Sequence, residues 1–357
     1  DAGIFMKEWL SLYESKSGER GIFNRSSAQA KAAENGRRDA DWDFGTNPCS
    51  EIILRPNQFC NLTEIVVRST DTMTTLIQKV QIATLLGTIQ STFTNFGYLR
   101  KRWQNNTEEE RLLGVSLTGI MDSPILNGRE TGLEKRLESL QEIAVETNRY
   151  WAKKFGINQS TAITCVKPSG TVSQLVDSAS GIHARHNPYY IRTVRGDNKD
   201  PLTEFMIASG IPSEPDYMKP EHTTVFSFPM KAPTGSVCRN DMTAIEQLEL
   251  WKTYAQHWCE HKPSVTISVK EEEWVPVGAW CWENFSHLSG VSFLPFSDHT
   301  YQQAPYQDID KATYENMAKK MPTSIDWQKL QDFEKEDNTK GSQELACTAG
   351  VCELVDI

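Results

Sequence analysis

The chain has 357 residues, enough for two domains or one large barrel with extensions, and its 38% hydrophobic and 24% charged residues are typical of a folded globular protein. A net charge of −10 argues against nucleic acid or an anionic membrane as a partner, so any anionic ligand has to be bound by a local group of residues. No apolar run approaches the roughly 18 residues of a membrane span. Eight irregularly spaced cysteines and an N-terminus without a signal-peptide pattern favour the cytoplasm.

The apolar periodicity predicts an α/β fold. Apolar residues at spacings of three and four predict long helices over 76–103, 137–151 and 245–258. Short β-branched runs between them predict strands at 51–54, 62–67, 161–166 and 264–269. Because strands alternate with long helices, we expect βαβ units with parallel pairing. Two short surface helices, over 314–321 and 327–334, are expected to follow.

The first chemical motif is Asn47-Pro48-Cys49-Ser50-Glu51, which follows a Gly-Thr turn and leads into a predicted strand. Pro48 restricts the backbone, so the Cys49 thiol is held on a stiff turn between an amide and a carboxylate. Such a turn supplies a pre-organised thiol with a potential general base beside it. The alternative is a buried loop cysteine with a solvated Glu51.

Further cysteines suggest thiol chemistry. Cys60 lies eleven residues after Cys49, and two thiols brought together can exchange electrons through a disulfide; the alternative is a core cysteine on the following strand. Cys347 and Cys352 lie near the C-terminus behind the polar segment 335–342. A closely spaced pair on such a tail predicts a redox shuttle, because two thiols supply only half the ligands of a structural zinc site.

One turn could bind phosphate. Lys167 is followed by Pro168, Ser169, Gly170 and Thr171, directly after the predicted strand 161–166. Small residues at the end of a strand let backbone N–H groups point outward toward an anion, although a simple tight turn is an equal alternative. The segment 180–195 is rich in His, Arg and Tyr, and we expect an anion-contacting or solvated segment there rather than a metal site.

Taken together, these motifs resemble the catalytic half of a ribonucleotide reductase, and the resemblance covers nearly the whole chain. It is greatest to the adenosylcobalamin-dependent class II enzymes of the monomeric ribonucleoside-triphosphate reductase type. The segments that carry it are Asn47-Pro48-Cys49-x-Glu51, Cys60, Pro168-Ser169-Gly170-Thr171, His183-x-Arg185-His186, Tyr189-Tyr190-Ile191-Arg192, Val291-Ser292-Phe293-Leu294-Pro295 and Cys347-x-x-x-x-Cys352.

The resemblance implies a ten-stranded α/β barrel with a central finger loop, here near 46–52, that carries the radical cysteine. Cys49 would become a thiyl radical when homolysis of adenosylcobalamin yields a deoxyadenosyl radical, and would then take the 3′ hydrogen of the ribose. Glu51 would act as base on the 3′ hydroxyl, and Asn47 would hold the ribose hydroxyls.

The same resemblance assigns the reducing thiols and the phosphate site. Cys60 would be one of two thiols that reduce the ribonucleotide, and Cys347 and Cys352 would re-reduce the disulfide with electrons from a thioredoxin-like protein. Pro168, Ser169, Gly170 and Thr171 would hold the substrate phosphates, and the resemblance implies that a ribonucleoside triphosphate is reduced to a deoxyribonucleotide.

One departure from the family pattern concerns the N-terminal half. The second reducing cysteine of the family lies upstream of the radical cysteine, and only 46 residues precede Asn47 here. We therefore expect residues 1–310 to form the C-terminal half of the catalytic barrel, 311–342 short helices and a linker, and 343–357 the redox tail. A longer polypeptide or a second chain would supply the rest.

Three other interpretations remain open. The first is a class I large subunit, which depends on a metal-containing partner protein instead of adenosylcobalamin. The anaerobic glycyl-radical class is disfavoured because the tail lacks an Arg-Val-x-Gly-Tyr type segment. A non-catalytic nucleotide-binding thiol protein is the alternative from a different class.

Overall fold

The computed structural model describes residues 1–18, 20–296, 302–335, 345–348 and 351–354, the last two segments by their backbone alone. The helices are α1 (Ala2–Ser15), α2 (Arg25–Ala33), α3 (Met73–Gln90), α4 (Lys101–Glu110), α5 (Leu133–Phe155), α6 (Val172–Leu175), α7 (Pro201–Ala208), α8 (Ala244–His257), α9 (Trp274–Glu283) and α10 (Lys311–Ala318). Single 3₁₀ turns occur at Ile120–Asp122, Arg239–Asp241, Glu271–Glu273 and Trp327–Asp332. Within these described ranges, no helix has both the length and the apolar character needed to cross a bilayer.

The strands are β1 (Gly21–Phe23), β2 (Gly45–Thr46), β3 (Ile53–Leu54), β4 (Asn61–Val66), β5 (Leu113–Thr118), β6 (Tyr189–Asp197), β7 (Ser213–Pro215), β8 (Thr223–Lys231), β9 (Val265–Val269), β10 (Ser289–Pro295), β11 (Tyr306–Asp308), β12 (Leu345–Thr348) and β13 (Val351–Leu354). They fall into two compact units. The first unit comprises Asp1–Arg185 and Pro233–Phe296, and the second His186–Ala232 and Ser297–Ile357.

The first unit is built on a series of parallel segments. β4 pairs in parallel with β5, and β5 is bridged in parallel to the segment 162–166 through Val115 and Thr164. Val166 in turn bridges Pro263, just before β9, and β9 pairs in parallel with β10. At the end of this series, the short strand β1 pairs antiparallel with β10. The predicted parallel pairing is therefore present, and the predicted strand 161–166 takes part through bridges.

One face of this sheet forms the main core. Residues of β4 and β5 that point to this face, such as Ile65, Val115 and Leu117, pack with the buried faces of α3, α5 and α8. The helices present apolar residues at helical spacing for this purpose, including Leu137, Leu140 and Ala144 of α5. The opposite face of β4 and β5 lies outside this core.

The predicted helix over 76–103 is wrong in its second half, because α3 ends at Gln90 and α4 begins at Lys101. Hydroxyl side chains compete for the helix carbonyls at this point. Ser91 Oγ donates to Thr88 O at 2.7 Å, and Thr92 Oγ1 donates to Ile89 O at 2.7 Å. Thr94 and Gly97 follow in the intervening segment, and both are poor helix formers.

The second unit contains an antiparallel sheet in the order β11, β6, β8, β7. β6 and β8 pair along nine residues, from Tyr189 opposite Lys231 to Asp197 opposite Thr223. α10 overlaps the predicted helix over 314–321. The second predicted helix, over 327–334, is the 3₁₀ helix Trp327–Asp332. β12 and β13 form a separate antiparallel pair. The boundaries predicted at 310 and 342 stay predictions.

Candidate active site

Cys49 lies at the tip of a hairpin. β2 and β3 pair antiparallel, with Gly45 opposite Leu54 and Thr46 opposite Ile53, and residues 47–52 connect them. The Cys49 residue is exposed. The predicted stiff turn therefore presents its thiol to a ligand rather than burying it in a loop.

Asn47 shapes this turn through its side chain and its carbonyl. Its Oδ1 accepts a hydrogen bond from Ile52 N at 3.0 Å, and its carbonyl accepts one from Ser50 N at 2.9 Å. Ser50 takes a positive φ of 63°. A Cβ on Gly290 would lie 2.3 Å from Ser50 Cβ, so the glycine lets β10 approach the tip closely.

His261 anchors the base of the hairpin, and the sequence analysis missed it. Ile53 N donates to Nδ1 at 3.3 Å, and Nε2 lies 3.0 Å from Leu113 O, so the ring is neutral with its proton on Nε2. Burial, aided by the charge of Arg38, lowers the pKa of His261 to about 3. Lys262 N also donates to Glu51 O at 2.9 Å. The hairpin is therefore tied by backbone contacts to the segment before β9.

Glu51 is almost fully buried, with 2% of its surface exposed. Its Oε2 is buried and has no hydrogen-bond partner among the described residues. Burial and the neighbouring Glu51 carboxylate raise the pKa of the Cys49 thiol, while Lys167 opposes that rise. A carboxylate oxygen without a partner, beside an accessible thiol, is an acceptor that a ligand hydroxyl can satisfy.

Cys60 lies between β3 and β4 and is half-buried. Burial raises the pKa of this thiol, Arg38 opposes the rise, and Glu51 adds to it. Glu51 thus acts electrostatically on both Cys49 and Cys60, which places the carboxylate near the two thiols. The segment that connects the thiols is short and is held by contacts to α4.

A buried ion-pair network holds the connection between Cys49 and Cys60. Arg38 binds Glu110 through two hydrogen bonds of 2.9 Å, and both side chains are 1% exposed. Arg55 Nη2 also contacts Glu110 at 3.2 Å, and Gln58 donates to the same carboxylate. Asn106 Nδ2 donates to the carbonyls of residues 56 and 57. The last turn of α4 therefore fixes the segment 55–58.

The turn predicted to bind phosphate follows the segment 162–166. Ser169 has a positive φ of 56°, and its buried Oγ has no partner among the described residues. Gly170 and Thr171 are exposed, and Thr171 precedes the one-turn helix α6. Pro168 connects this turn to Lys167, whose backbone N–H donates to Ser116 Oγ at 2.8 Å.

The hairpin and the sheet face opposite the main core meet at Gly114. A Cβ on this glycine would lie 2.4 Å from Leu62 Cδ2, 3.0 Å from Ile52 Cδ1 and 3.3 Å from Cys165 Sγ. Leu62, Gly114 and Cys165 therefore share one face, which we call the site face. Glu64 and Lys167, two residues farther along their strands, point to the same side and form an ion pair at 3.4 Å.

The tail cysteines are described only by their backbone. The register of β12 and β13 places Cys347 directly opposite Cys352. Their side chains, and residues 336–344, lie outside the described residues. The predicted redox role of this pair stays a prediction.

The architecture is shared with solved ribonucleotide reductases. A B12-dependent class II ribonucleotide reductase matches with a TM-score of 0.70 and 26% identity, over 81% of this chain and 44% of that chain. The alpha subunit of the class Id enzyme of Actinobacillus ureae matches with a TM-score of 0.53 over 82% of this chain and 61% of that one. At 13% identity, this second likeness concerns the fold alone.

The curated proteins that the sequence matches carry the name of one class of ribonucleotide reductase. The adenosylcobalamin-dependent ribonucleoside-triphosphate reductase of Lactobacillus delbrueckii subsp. bulgaricus is 27% identical over 95% of this chain and 50% of its own length. The Euglena gracilis protein of the same name is 29% identical over 86% of this chain and 42% of its own length. No protein-family model matches the chain. The resemblance predicted from the motifs, and the α/β fold it implies, are confirmed.

The chain spans about half the length of the curated relatives it matches. The finger loop of the family remains a prediction, although the hairpin that carries Cys49 occupies the expected residues 46–52.

Proposed function

We propose that this chain carries the radical cysteine and one reducing thiol of an adenosylcobalamin-dependent ribonucleotide reductase. The observation that supports this most directly is the hairpin tip, where an accessible Cys49 thiol lies beside the buried, partly unsatisfied Glu51 carboxylate. A thiol that removes a ribose hydrogen needs a nearby base for the adjacent hydroxyl, and this pair meets that requirement.

In the proposed first step, the Cys49 thiyl radical takes the 3′ hydrogen of the ribose and becomes a thiol. Glu51 accepts the 3′ hydroxyl proton, and its unpartnered Oε2 is the natural acceptor. Among the described residues, Asn47 uses its Oδ1 within the turn, which leaves its Nδ2 to donate to a ribose hydroxyl. The three side chains then bind one side of the sugar.

In the second step, the 2′ hydroxyl leaves as water and two thiols are oxidised to a disulfide. Cys60 supplies one thiol, and two electrons and two protons pass from the thiol pair to the substrate and the leaving water. Glu51 then returns its proton to the 3′ oxygen and the Cys49 thiol returns its hydrogen atom to C3′, which regenerates the thiyl radical. Cys165 is a poor second thiol because β5 separates its segment from β4, a spacing of about 9 to 10 Å. Disulfides need Cα atoms within about 7 Å. The second thiol is therefore expected from another part of the enzyme.

The accessibility and protonation of the Cys49 thiol fit a requirement for adenosylcobalamin. Adenosylcobalamin supplies, when bound, the radical that removes the hydrogen atom from the Cys49 thiol. Such a transfer needs a thiol that is accessible and protonated. Cys49 is exposed, and burial of its surroundings together with Glu51 raises the pKa of its thiol, which favours the protonated form.

We place the substrate phosphates on residues 168–171. The turn follows a parallel segment at its carboxyl end, where ligands bind in α/β sheets. The Ser169 Oγ and the exposed backbone of Gly170 and Thr171 offer donors to a phosphate. The ribose would then extend toward Cys49.

The other half of the enzyme is proposed to pair with β4. β4 has β5 on one side and no strand on the other among the described residues. A groove of about 490 Å³ follows this edge and is lined in part by Ile82 and Leu86 of α3, which are 60% and 55% exposed. An unpaired edge beside an apolar helix face is a site for strand addition.

The test is ribonucleotide reduction by this chain assembled with the polypeptide that supplies the other half. Cys49→Ser is expected to abolish deoxyribonucleotide formation and leave nucleotide binding unchanged, since serine cannot form the thiyl radical. Cys281→Ala, which alters a buried thiol of α9, is the control and should retain turnover. Turnover by Cys49→Ser, or a requirement for an iron or manganese subunit instead of adenosylcobalamin, would contradict the proposal.

A further inference from the structure

Lys167 is a partly exposed lysine that lies between two parts of the proposed site. It directly precedes the turn 168–171 and follows the parallel segment 162–166. Its backbone N–H is fixed by Ser116 Oγ at 2.8 Å. The position of its backbone is therefore set by the sheet, while its side chain can change direction.

The side chain of Lys167 belongs to the site face. Cys165, two residues earlier, lies against Gly114 on this face, and Glu64 is two residues beyond Leu62 on β4. Alternate residues of a strand point to the same side, and the Lys167 Nζ contact with Glu64 Oε2 confirms the direction. The charge of Lys167 also opposes the rise in the pKa of the Cys49 thiol, so the ammonium is near that thiol as well.

The polar groups around Lys167 are incompletely satisfied. Its contact with Glu64 is long, at 3.4 Å, and Glu64 Oε1 is buried without a partner among the described residues. Ser169 is 5% exposed, and its Oγ likewise has no partner within the described ranges. Buried polar atoms normally have hydrogen-bond partners, so the unpaired Ser169 hydroxyl beside a lysine indicates a missing acceptor, which a phosphate oxygen can supply.

We propose that Lys167 is a substrate-contacting residue that binds a phosphate oxygen of the nucleotide, and that the Glu64 carboxylate competes with the phosphate for its ammonium. This inference rests on the proposed function. An ammonium has three N–H donors, so Lys167 can keep its contact with Glu64 and still bind an anion. Because the protein carries a net charge of −10, a local cation is needed to hold a polyanion beside the Glu51 and Glu64 carboxylates.

The test measures binding of ADP and ATP to the chain by isothermal titration calorimetry. Lys167→Met is expected to weaken both by about tenfold or more, since it removes a charge-assisted hydrogen bond to phosphate. Lys167→Arg should retain most of the affinity. Lys79→Met is the matched control: Lys79 pairs with Asp71 at 2.6 Å, and the side chains of this pair are 35% and 7% exposed, against 23% and 8% for Lys167 and Glu64.

Glu64→Gln separates a substrate contact from a structural role. If Lys167 binds phosphate, removal of the Glu64 charge should strengthen nucleotide binding, because the carboxylate repels the ligand and competes for the ammonium. If the ion pair only stabilises the fold, Glu64→Gln and Lys167→Met should weaken binding alike. That parallel loss, or unchanged binding by Lys167→Met, would overturn the Lys167 assignment. Neither result would contradict the proposed function of the chain.

Tripolyphosphate identifies the part of the ligand that Lys167 contacts. A similar loss of tripolyphosphate binding in Lys167→Met supports a phosphate contact, whereas a loss restricted to nucleotides would overturn it in favour of the ribose or base. If the wild-type chain binds neither nucleotide, both the proposed function of this chain and the Lys167 assignment are contradicted.

Discussion

Glu51 illustrates how one buried residue combines two roles. Its carbonyl accepts from Lys262 N and fixes the hairpin, while its side chain keeps one oxygen unpaired beside Cys49. A buried unpaired oxygen costs about 1 to 3 kcal/mol of stability, and a site that binds a hydroxyl recovers this on ligand binding. This loss of stability is therefore easier to explain by substrate contact than by folding.

Lys262 gives the stability of this region a defined pH dependence. Its buried Nζ donates to His287 O at 3.0 Å and lies 3.3 Å from Ser27 Oγ. Burial, with the nearby charge of Lys31, lowers the pKa of Lys262 from 10.5 to about 8. Between these two values the unfolded chain binds more protons than the folded one, so the Lys262 contribution to stability rises with pH and is least favourable below pH 8.

We predict that Lys262→Met removes this rise. The unfolding free energy of the variant minus that of wild type should be larger at pH 7 than at pH 10.5, by up to roughly 3 kcal/mol. Urea unfolding at both pH values measures the difference, and Lys252→Met on α8 is the control. A constant difference between Lys262→Met and wild type across this range would contradict the assigned pKa.

At the level of elements, α4 and the segment 55–58 act together through Arg38 and Glu110. Removal of Arg38 takes two hydrogen bonds from the buried Glu110 and leaves it with Arg55 and Gln58, so we predict that Arg38→Met lowers the unfolding free energy by roughly 3 kcal/mol. The double variant Arg38→Met, Glu110→Leu should recover only part of this loss, because it also removes the partner of Arg55 Nη2. Urea unfolding measures both.

The exposed pair of Arg25 and Asp43 is the control for this prediction. Because both of its side chains are well exposed, Arg25→Met should cost less than about 1 kcal/mol. Equal losses for Arg38→Met and Arg25→Met would show that the buried network does not hold the segment between the two thiols.

These elements also show what the sequence could reveal. The long helices α5 and α8 were predictable because their apolar spacing is uninterrupted, and Cys49 and Glu51 because a single residue separates them. The end of α3 depended on hydroxyl groups that bond to helix carbonyls, which apolar spacing does not register. Arg38 and Glu110 are 72 residues apart, and His261 is 208 residues from Ile53, so no local pattern could connect them.

At the level of the whole molecule, we predict that the tail cysteines re-reduce the thiols that turnover oxidises. The register of β12 and β13 brings Cys347 opposite Cys352, as a reversible disulfide between them requires. We predict that replacing both by serine abolishes turnover with a protein dithiol but preserves it with a small dithiol, which can reach the site unaided. Equal loss with both reductants would exclude a shuttle role.

The exposed edge of β4 predicts how the chain behaves alone. Ile82 and Leu86 present an apolar surface beside an unpaired strand, and such surfaces promote association when their partner is absent. We predict that the isolated chain does not reduce ribonucleotides, because the proposed second reducing thiol comes from another part of the enzyme, and that it self-associates as its concentration rises.

The double variant Ile82→Lys, Leu86→Lys should remain monomeric in sedimentation experiments and keep the unfolding free energy of wild type, because both side chains are already largely in water. It should also fail to restore activity when the other half of the enzyme is added, since the charged groups oppose docking. Val275→Lys is the control, because Val275 is an exposed residue of α9 and its replacement should change neither property. A wild-type chain that stays monomeric and turns over ribonucleotides alone would show that neither β4 nor the site face needs a partner.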